Sequence, residues 1–316
     1  MKNKSSAFSL IELSIVILII GVLIAGVTQA SRLVRQSKLT TAQTLTQSSP
    51  VNSLKGLVLW LEPTMAASFI DSQEVDTTAL TYWYDINPQA TISRAFVPTT
   101  SSLTTYKLSS TNSLPAVAFT GASGSDMHGN NSDYLSTPDN AYTFFVVAKS
   151  TSTAAQNTIF YNGTWSATVP TGFGLSLTIT NAYHLIHNGS TAASTSGYFD
   201  PITASTQGTS ATVAQIISGT ITPSMSLGAI ATQTASTWKN GVATSIAASS
   251  FVTATSMVIP TSNFFIGNTN ASAGGSTGFI GEISEIIVFD NVLKKTDRQE
   301  IEKYLSKKYA IAITQN

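Results

Sequence analysis

One carboxylate stands alone at the head of an apolar run. Residues 5–31 read SSAFSLIELSIVILIIGVLIAGVTQAS, and from Leu13 to Ser31 no residue carries a charge. A stretch of that length crosses a hydrocarbon core of about 30 Å as a helix. An ionised Glu12 at its head costs roughly 2.5–3.5 kcal/mol on insertion scales, so it needs a cationic partner. Elsewhere the reactive residue types are spaced badly for catalysis. Glu282 and Glu285 are three apart, which on a regular strand points them to opposite faces. That denies them the separation of about 5–9.5 Å that a glycosidase pair requires, and they read as charges on an edge strand or its rim. His184 and His187 share the spacing and have no Glu between them, so the zincin pattern of paired histidines on a helix is absent. There is no cysteine, which excludes thiolate metal sites and thiol redox chemistry.

The run FSLIEL at the start of the apolar stretch, after a short leader carrying Lys2 and Lys4, resembles the N-terminus of type IV pilins and pseudopilins. The resemblance implies cleavage by a prepilin peptidase between Ala7 and Phe8 and N-methylation of the new terminus, Phe8. It makes Glu12 the assembly glutamate, paired with the α-amine of a neighbouring subunit; pairing removes two buried charges and fixes the stagger between subunits. Two departures from the family pattern are visible. The residue before the cut is Ala7 where Gly is usual, and Gln29 stands where many pilins carry a kinking proline. Gly21 and Gly26 are the weak points of the helix instead, each costing up to about 1 kcal/mol relative to Ala. A conventional signal peptide has a shorter apolar core of 7–15 residues followed by its cleavage site, and a simple membrane anchor leaves Glu12 unexplained.

The 316 residues include 16 basic and 16 acidic side chains, with no basic excess of the kind that nucleic-acid binding requires. Charged residues make up only 10%, and between Lys149 and Lys239 the sole charge is Asp200. Such a polar, nearly uncharged surface suits an exported protein packed beside its own copies or exposed to the medium.

The elements that must position these residues follow from periodicity. Leu33, Val34, Leu39, Ala42 and Leu45 continue the helical spacing beyond the basic cluster of Arg32, Arg35 and Lys38, so one helix is expected from Phe8 to about Gln47. Pro50 marks the break. Beyond Lys55, short β runs alternate with Gly/Ser/Asn/Thr/Pro turns: 57–61, 116–119, 143–148, 158–160, 174–178, 183–187, 212–218, 227–232, 236–238, 263–266 and 282–289. This spacing argues for an all-β sandwich. Asn240-Gly241 reads as a hairpin turn. Thr296 followed by Gln299 reads as a capping box opening a short amphipathic helix over 296–309.

The segments GLVLWLEP (56–63), YWYDINP (82–88), SLPAVAFTG (113–121), SDYLSTP (132–138), TFFVVAK (143–149), WKNGV (238–242) and FIGEISEIIVFDNVLKKTDRQEIEKYLSKKYAI (279–311) together resemble a laminin G-like, concanavalin A-like jelly roll. Some such domains hold calcium on one rim. Asp126, Asn130, Asn131 and Asp133 form an oxygen-rich loop able to contribute to the six to eight oxygens calcium takes, and the same residues also make an ordinary turn. Asp85 and Asn87 sit in a motif that the family uses structurally. Tyr161, Trp165, Tyr198 and Phe199 lie in the uncharged region, where an aromatic could stack on a sugar; single aromatics there are also ordinary surface or strand residues. Trp60 and Trp83 are expected in the core.

The expectation is an α+β chain: leader 1–7, membrane and filament-core helix 8–48, linker 49–55, and jelly roll 56–316 with a C-terminal helix. The function expected is that of a prepilin-type structural subunit, a minor or tip pilin, and not an enzyme. The alternatives are a pseudopilin of a secretion or DNA-uptake apparatus and, more remotely, an anchored carbohydrate-active enzyme. Its partners would be other pilin subunits, the prepilin peptidase/N-methyltransferase, the inner-membrane assembly platform and an extracellular glycan or protein. The precursor would sit in the inner membrane with its head outside the cytoplasm, and the mature chain in an extracellular filament.

Overall fold

An uninterrupted helix, α1 (Leu10–Gln47), occupies the segment where the apolar spacing places it. The computed structural model describes residues 9–129, 141–151, 157–164, 171–177, 183–188, 198–199, 213–226, 229–244, 264–269 and 278–315. The 38 residues of α1 extend about 57 Å at 1.5 Å each. Neither Gly21 nor Gly26 breaks the helix. From Leu10 to Val34 every large apolar side chain is exposed, and the segment is long and apolar enough to cross a membrane. The other end differs: Ala42 and Thr46 are buried. The helix stops at Ser48, whose N–H reaches Thr44 O at 3.0 Å. The Asn52 amide then donates to Thr46 O at 3.2 Å and Gln47 O at 2.9 Å, giving the last carbonyls the partners a helix end lacks.

Among the described residues sixteen strands follow. They are β1 (Leu57–Leu61), β2 (Trp83–Tyr84), β3 (Ala95–Pro98), β4 (Thr104–Lys107), β5 (Ala116–Thr120), β6 (Met127–Gly129), β7 (Tyr142–Ser150) and β8 (Asn157–Thr164). Next come β9 (Thr171–Leu177), β10 (Tyr183–Asn188), β11 (Tyr198–Phe199), β12 (Gln215–Ser226), β13 (Ala229–Lys239), β14 (Val242–Thr244), β15 (Phe264–Ile266) and β16 (Ile280–Phe289). Helix α2 (Lys295–Tyr309) closes the order. One sheet runs β14-β13-β12-β7-β16-β5-β4 with β1 also on β16; the other runs β11-β10-β9-β8-β15-β6-β3-β2. The architecture is a long amino-terminal helix, a β-sandwich and a short carboxy-terminal helix.

Strand alternation builds two cores. Phe144, Val146 and Ala148 of β7 and Ile286 and Val288 of β16 point between the sheets, where they meet Phe160, Phe173, Phe264 and Ile266. Tyr142 and Phe173 stack at 4.5 Å, and Phe160 and Phe264 at 5.9 Å. The intervening Phe145, Val147, Ile287 and Phe289, with Trp60, point outward and are covered by Ile301, Tyr304, Leu305 and Tyr309 of α2 and by Ala42 and Val51. Burial on both faces explains why β1 is apolar at all five positions.

Every expected strand run falls on or overlaps a strand, and the runs at 227–232 and 236–238 belong to one long strand, β13. Of the strands of two to four residues only β15 matches an expected run; β2, β3, β4, β6, β11 and β14 are too short to show periodicity and lie outside the expected runs. The Asn240-Gly241 turn joins β13 to β14 with φ of 49° and 78°. Helix α2 corrects one expectation: its N-cap is Lys294, with no side-chain cap. Thr296 therefore lies inside the first turn and its hydroxyl donates to Asp297 Oδ1 at 3.2 Å. Docking onto β12 and β13 holds this end instead. The Arg298 guanidinium lies 3.8 Å over the Trp238 ring and pairs with Glu302, which accepts from Ser218 Oγ at 2.5 Å.

Candidate functional site

The head of α1 carries the lone acid. Ser9 is its N-cap: Ser9 Oγ accepts from Ile11 N–H at 3.3 Å, and the Ser9 N–H donates to Glu12 Oε2 at 2.8 Å. This is a reciprocal capping box, carried in the sequence as Ser-x-x-Glu. It orients the carboxylate along the helix start, where the dipole favours negative charge. Glu12 Oε1 has no hydrogen-bond partner among the described residues and is open to a cation. Ala7 and Phe8 lie outside the described residues.

At the other end, α1 meets the head through a buried polar cluster. Lys308 on α2, Glu62 just after β1 and Glu285 on β16 all have fully buried side chains. Lys308 Nζ contacts Glu62 Oε1, Glu285 Oε2 at 2.9 Å and Thr46 Oγ1 of α1 at 2.8 Å. Glu62 also accepts from Thr64 N–H and Met65 N–H, each at 2.9 Å. Glu285 accepts from Trp60 Nε1 at 2.8 Å and from the Tyr304 and Tyr309 hydroxyls, both at 2.9 Å. Burial pushes the Glu285 carboxyl up, against the pull of Lys308 and with a further push from Glu62. Burial, together with the two carboxylates, drives both tyrosines well above the usual phenol range. Residues 49–55, expected as a linker, include a short turn at Pro50–Asn52 whose Val51 is fully buried.

The glutamate pair on β16 departs from expectation. β16 is a central strand, antiparallel to β1, β5 and β7, not an edge. Its register against β7 shifts between Ile283 and Glu285, a bulge at Ser284. The extra residue cancels the odd spacing, so Glu282 opposite Lys149 and Glu285 opposite Val147 emerge on the same, α2-facing side. Even so, the two are held apart in role. Glu282 binds Lys149 at 2.9 Å and the Ser110 hydroxyl, whereas Glu285 is sealed beneath α2.

Tyr161 is corrected as a sugar platform: it is fully buried and offers no ring face to a ligand. Tyr198 and Phe199 form β11, paired to β10, and Trp165 lies outside the described residues. Of the proposed calcium loop only Asp126 is described. It is fully buried, accepts from Thr99 Oγ1 at 2.6 Å through Oδ2, sits 4.0 Å from His128, and has its carboxyl pushed up by burial. Its Oδ1 has no partner among the described residues. Asn130, Asn131 and Asp133 lie outside them. Asp85 is structural: it pairs with Arg94 at 2.8 Å and accepts from the amides of Trp60 and Asn87, and burial lifts it to about 6. Trp60 and Trp83 are in the core as expected.

Residues 2–28 match the model of the prokaryotic N-terminal methylation motif. The segment is a pilin-type methylation motif. A membrane-anchored precursor processed by a prepilin peptidase fits both that motif and the exposed apolar half of α1. No sequence among curated proteins matches the chain. Among solved structures it is similar to the binding domain of Paraclostridial Mosquitocidal Protein 1, at 10% identity over 81% of this chain and 53% of that one, with a TM-score of 0.50. It is also similar to a Trypanosoma rangeli sialidase in complex with the inhibitor DANA, at 13% identity over 83% of this chain and 34% of that one, TM-score 0.48. A third is the CBM40 of a Ruminococcus gnavus IT-sialidase, at 15% identity over 52% of this chain and 83% of that one, TM-score 0.36. The chain thus spans about a third of the sialidase and about half of the mosquitocidal domain. These likenesses concern the β-sandwich fold of the head.

Proposed function

We propose that this chain is a minor or tip subunit of a type IV pilus-like filament that carries a jelly-roll head outward for adhesion, binding a glycan or a protein. The observation that carries the reading is the two-sided character of α1. From Leu10 to Val34 its large apolar side chains are exposed, with one acid at the head, and its last turns are seated on the head through buried Ala42 and Thr46. Cleavage after Ala7 would give Phe8 a free amine, and the open Oε1 of Glu12 is available to the amine of the next subunit. Reading the head as a binding module is supported by Glu282 being tied to Lys149 and Glu285 being sealed beneath α2. Ligand binding is to be measured with and without calcium, since Asp126 keeps one buried oxygen unpartnered among the described residues. The deciding experiment replaces Glu12 with Ala and follows the head in sheared surface filaments. Wild type is expected in the sheared fraction and Glu12→Ala in the membrane; equal distribution of both refutes incorporation. A wild-type head that stays with the envelope and never reaches sheared filaments points to a secretion-type pseudopilus.

A further inference from the structure

Lys308 holds an amine in contact with two carboxyls, all three side chains sealed from water. An amine and a carboxylic acid kept together out of water have a condensation open to them. We propose that Lys308 Nζ and the Glu62 carboxyl join as an isopeptide amide, with Glu285 moving the protons. Lys308 passes one proton to Glu62 Oε1, which it already contacts, leaving a neutral amine and a neutral acid. The nitrogen lone pair attacks Glu62 Cδ and the C–N bond forms. Met65 N–H, 2.9 Å from Oε2, steadies the negative charge that gathers there. Glu285 Oε2, 2.9 Å from the nitrogen, takes its second proton and returns one to the Oε1 hydroxyl, which leaves as water. Ammonium plus carboxylate becomes amide plus one water, and Glu285 ends as it began.

Three features favour the reaction. Fixed contact supplies effective molarities of about 10⁵–10⁸ M. The amide removes a buried ammonium and a buried carboxylate together, with their desolvation cost, while Glu285 keeps its hydrogen bonds from Trp60 Nε1 and the Tyr304 and Tyr309 hydroxyls. Burial raises the affinity of Glu285 for a proton, which suits a group that must accept and return one. The bond would tie positions 246 residues apart in a chain without cysteine.

Full-length protein extracted in detergent is digested with trypsin and analysed by mass spectrometry, beside Glu285→Gln and Lys308→Arg. The wild type is expected to yield one branched peptide, Gly56–Arg94 joined to Lys308–Asn316, lighter than its two parts by one water. Lys308→Arg should yield no branched peptide, and Glu285→Gln should leave most molecules unjoined. Separate Gly56–Arg94 and Tyr309–Asn316 peptides from the wild type overturn the proposal. Full joining in Glu285→Gln overturns the role given to Glu285. Should either variant fail to fold, the wild-type digest decides alone.

Discussion

A head fragment beginning at Ser53 should be markedly less stable than one beginning at Gln36, because the end of α1 is part of the head. The loss can be worked residue by residue. Val51 is fully buried, and withdrawing it removes about 1.5–3 kcal/mol. The Ala42 methyl adds about 0.8 kcal/mol. The Thr46 hydroxyl touches the Tyr304 hydroxyl at 3.1 Å and accepts from Lys308 at 2.8 Å, about 1 kcal/mol each. Together these come to roughly 4–6 kcal/mol, a large share of the 5–15 kcal/mol typical of a folded domain. At about 2–4 °C per kcal/mol for a domain of this size, the shorter fragment should melt about 10–20 °C lower. Thermal denaturation followed by circular dichroism on the two fragments measures this, and Thr46→Val in the longer one isolates the hydroxyl's part. Midpoints within a few degrees of each other would mean that residues 36–52 are a tether, and the reasoning would fail.

Two further outcomes follow from individual residues. Burial holds Asp85 at about 6, above its ordinary value, so the folded state binds that proton more tightly than the unfolded chain. Its contribution to stability is full below pH about 4 and fades as pH rises through 6. The unfolding free energy of wild type relative to Asp85→Asn should fall by about 3 kcal/mol across that window, and a level difference in denaturant titrations refutes it. Gly241 has φ of 78°, and a Cβ there would sit 2.6 Å from Thr314 O. Gly241→Ala should therefore cost about 1–3 kcal/mol in denaturant midpoint, whereas Gly21→Ala, with open space around it, should leave head stability unchanged.

The helix, the sandwich and the long strands were legible because each repeats its pattern over enough residues to average out exceptions. α1 is a long uncharged apolar run continued by helical spacing at Leu33, Val34, Leu39, Ala42 and Leu45, and β16 and β7 are apolar runs bounded by turns. What escaped depends on single residues. The opposite-face argument for Glu282 and Glu285 presumes an unbroken strand, and one bulged serine reverses it. Thr296 and Ser9 carry the same capping pattern, and only the chain's entry geometry decides which forms. The junction was invisible because Thr46, Glu62, Glu285 and Lys308 are scattered over the whole chain and each looks like an ordinary surface residue. The one hint is a charge inside an apolar stretch, Glu285 in EISEIIVF. The burial of Tyr161 is not legible because a strand aromatic reads alike whether or not something covers it.

The contact between Thr46 and Lys308 joins positions 262 residues apart, so the stalk cannot seat on its head until synthesis has passed that lysine. The membrane segment, by contrast, emerges among the first residues and can insert long before. A nascent subunit therefore waits, anchored at one end and with its stalk base bare, for the helix that will grip it. Chains interrupted before that helix leave the faces of Trp60, Phe145 and Phe289 that it covers open to water.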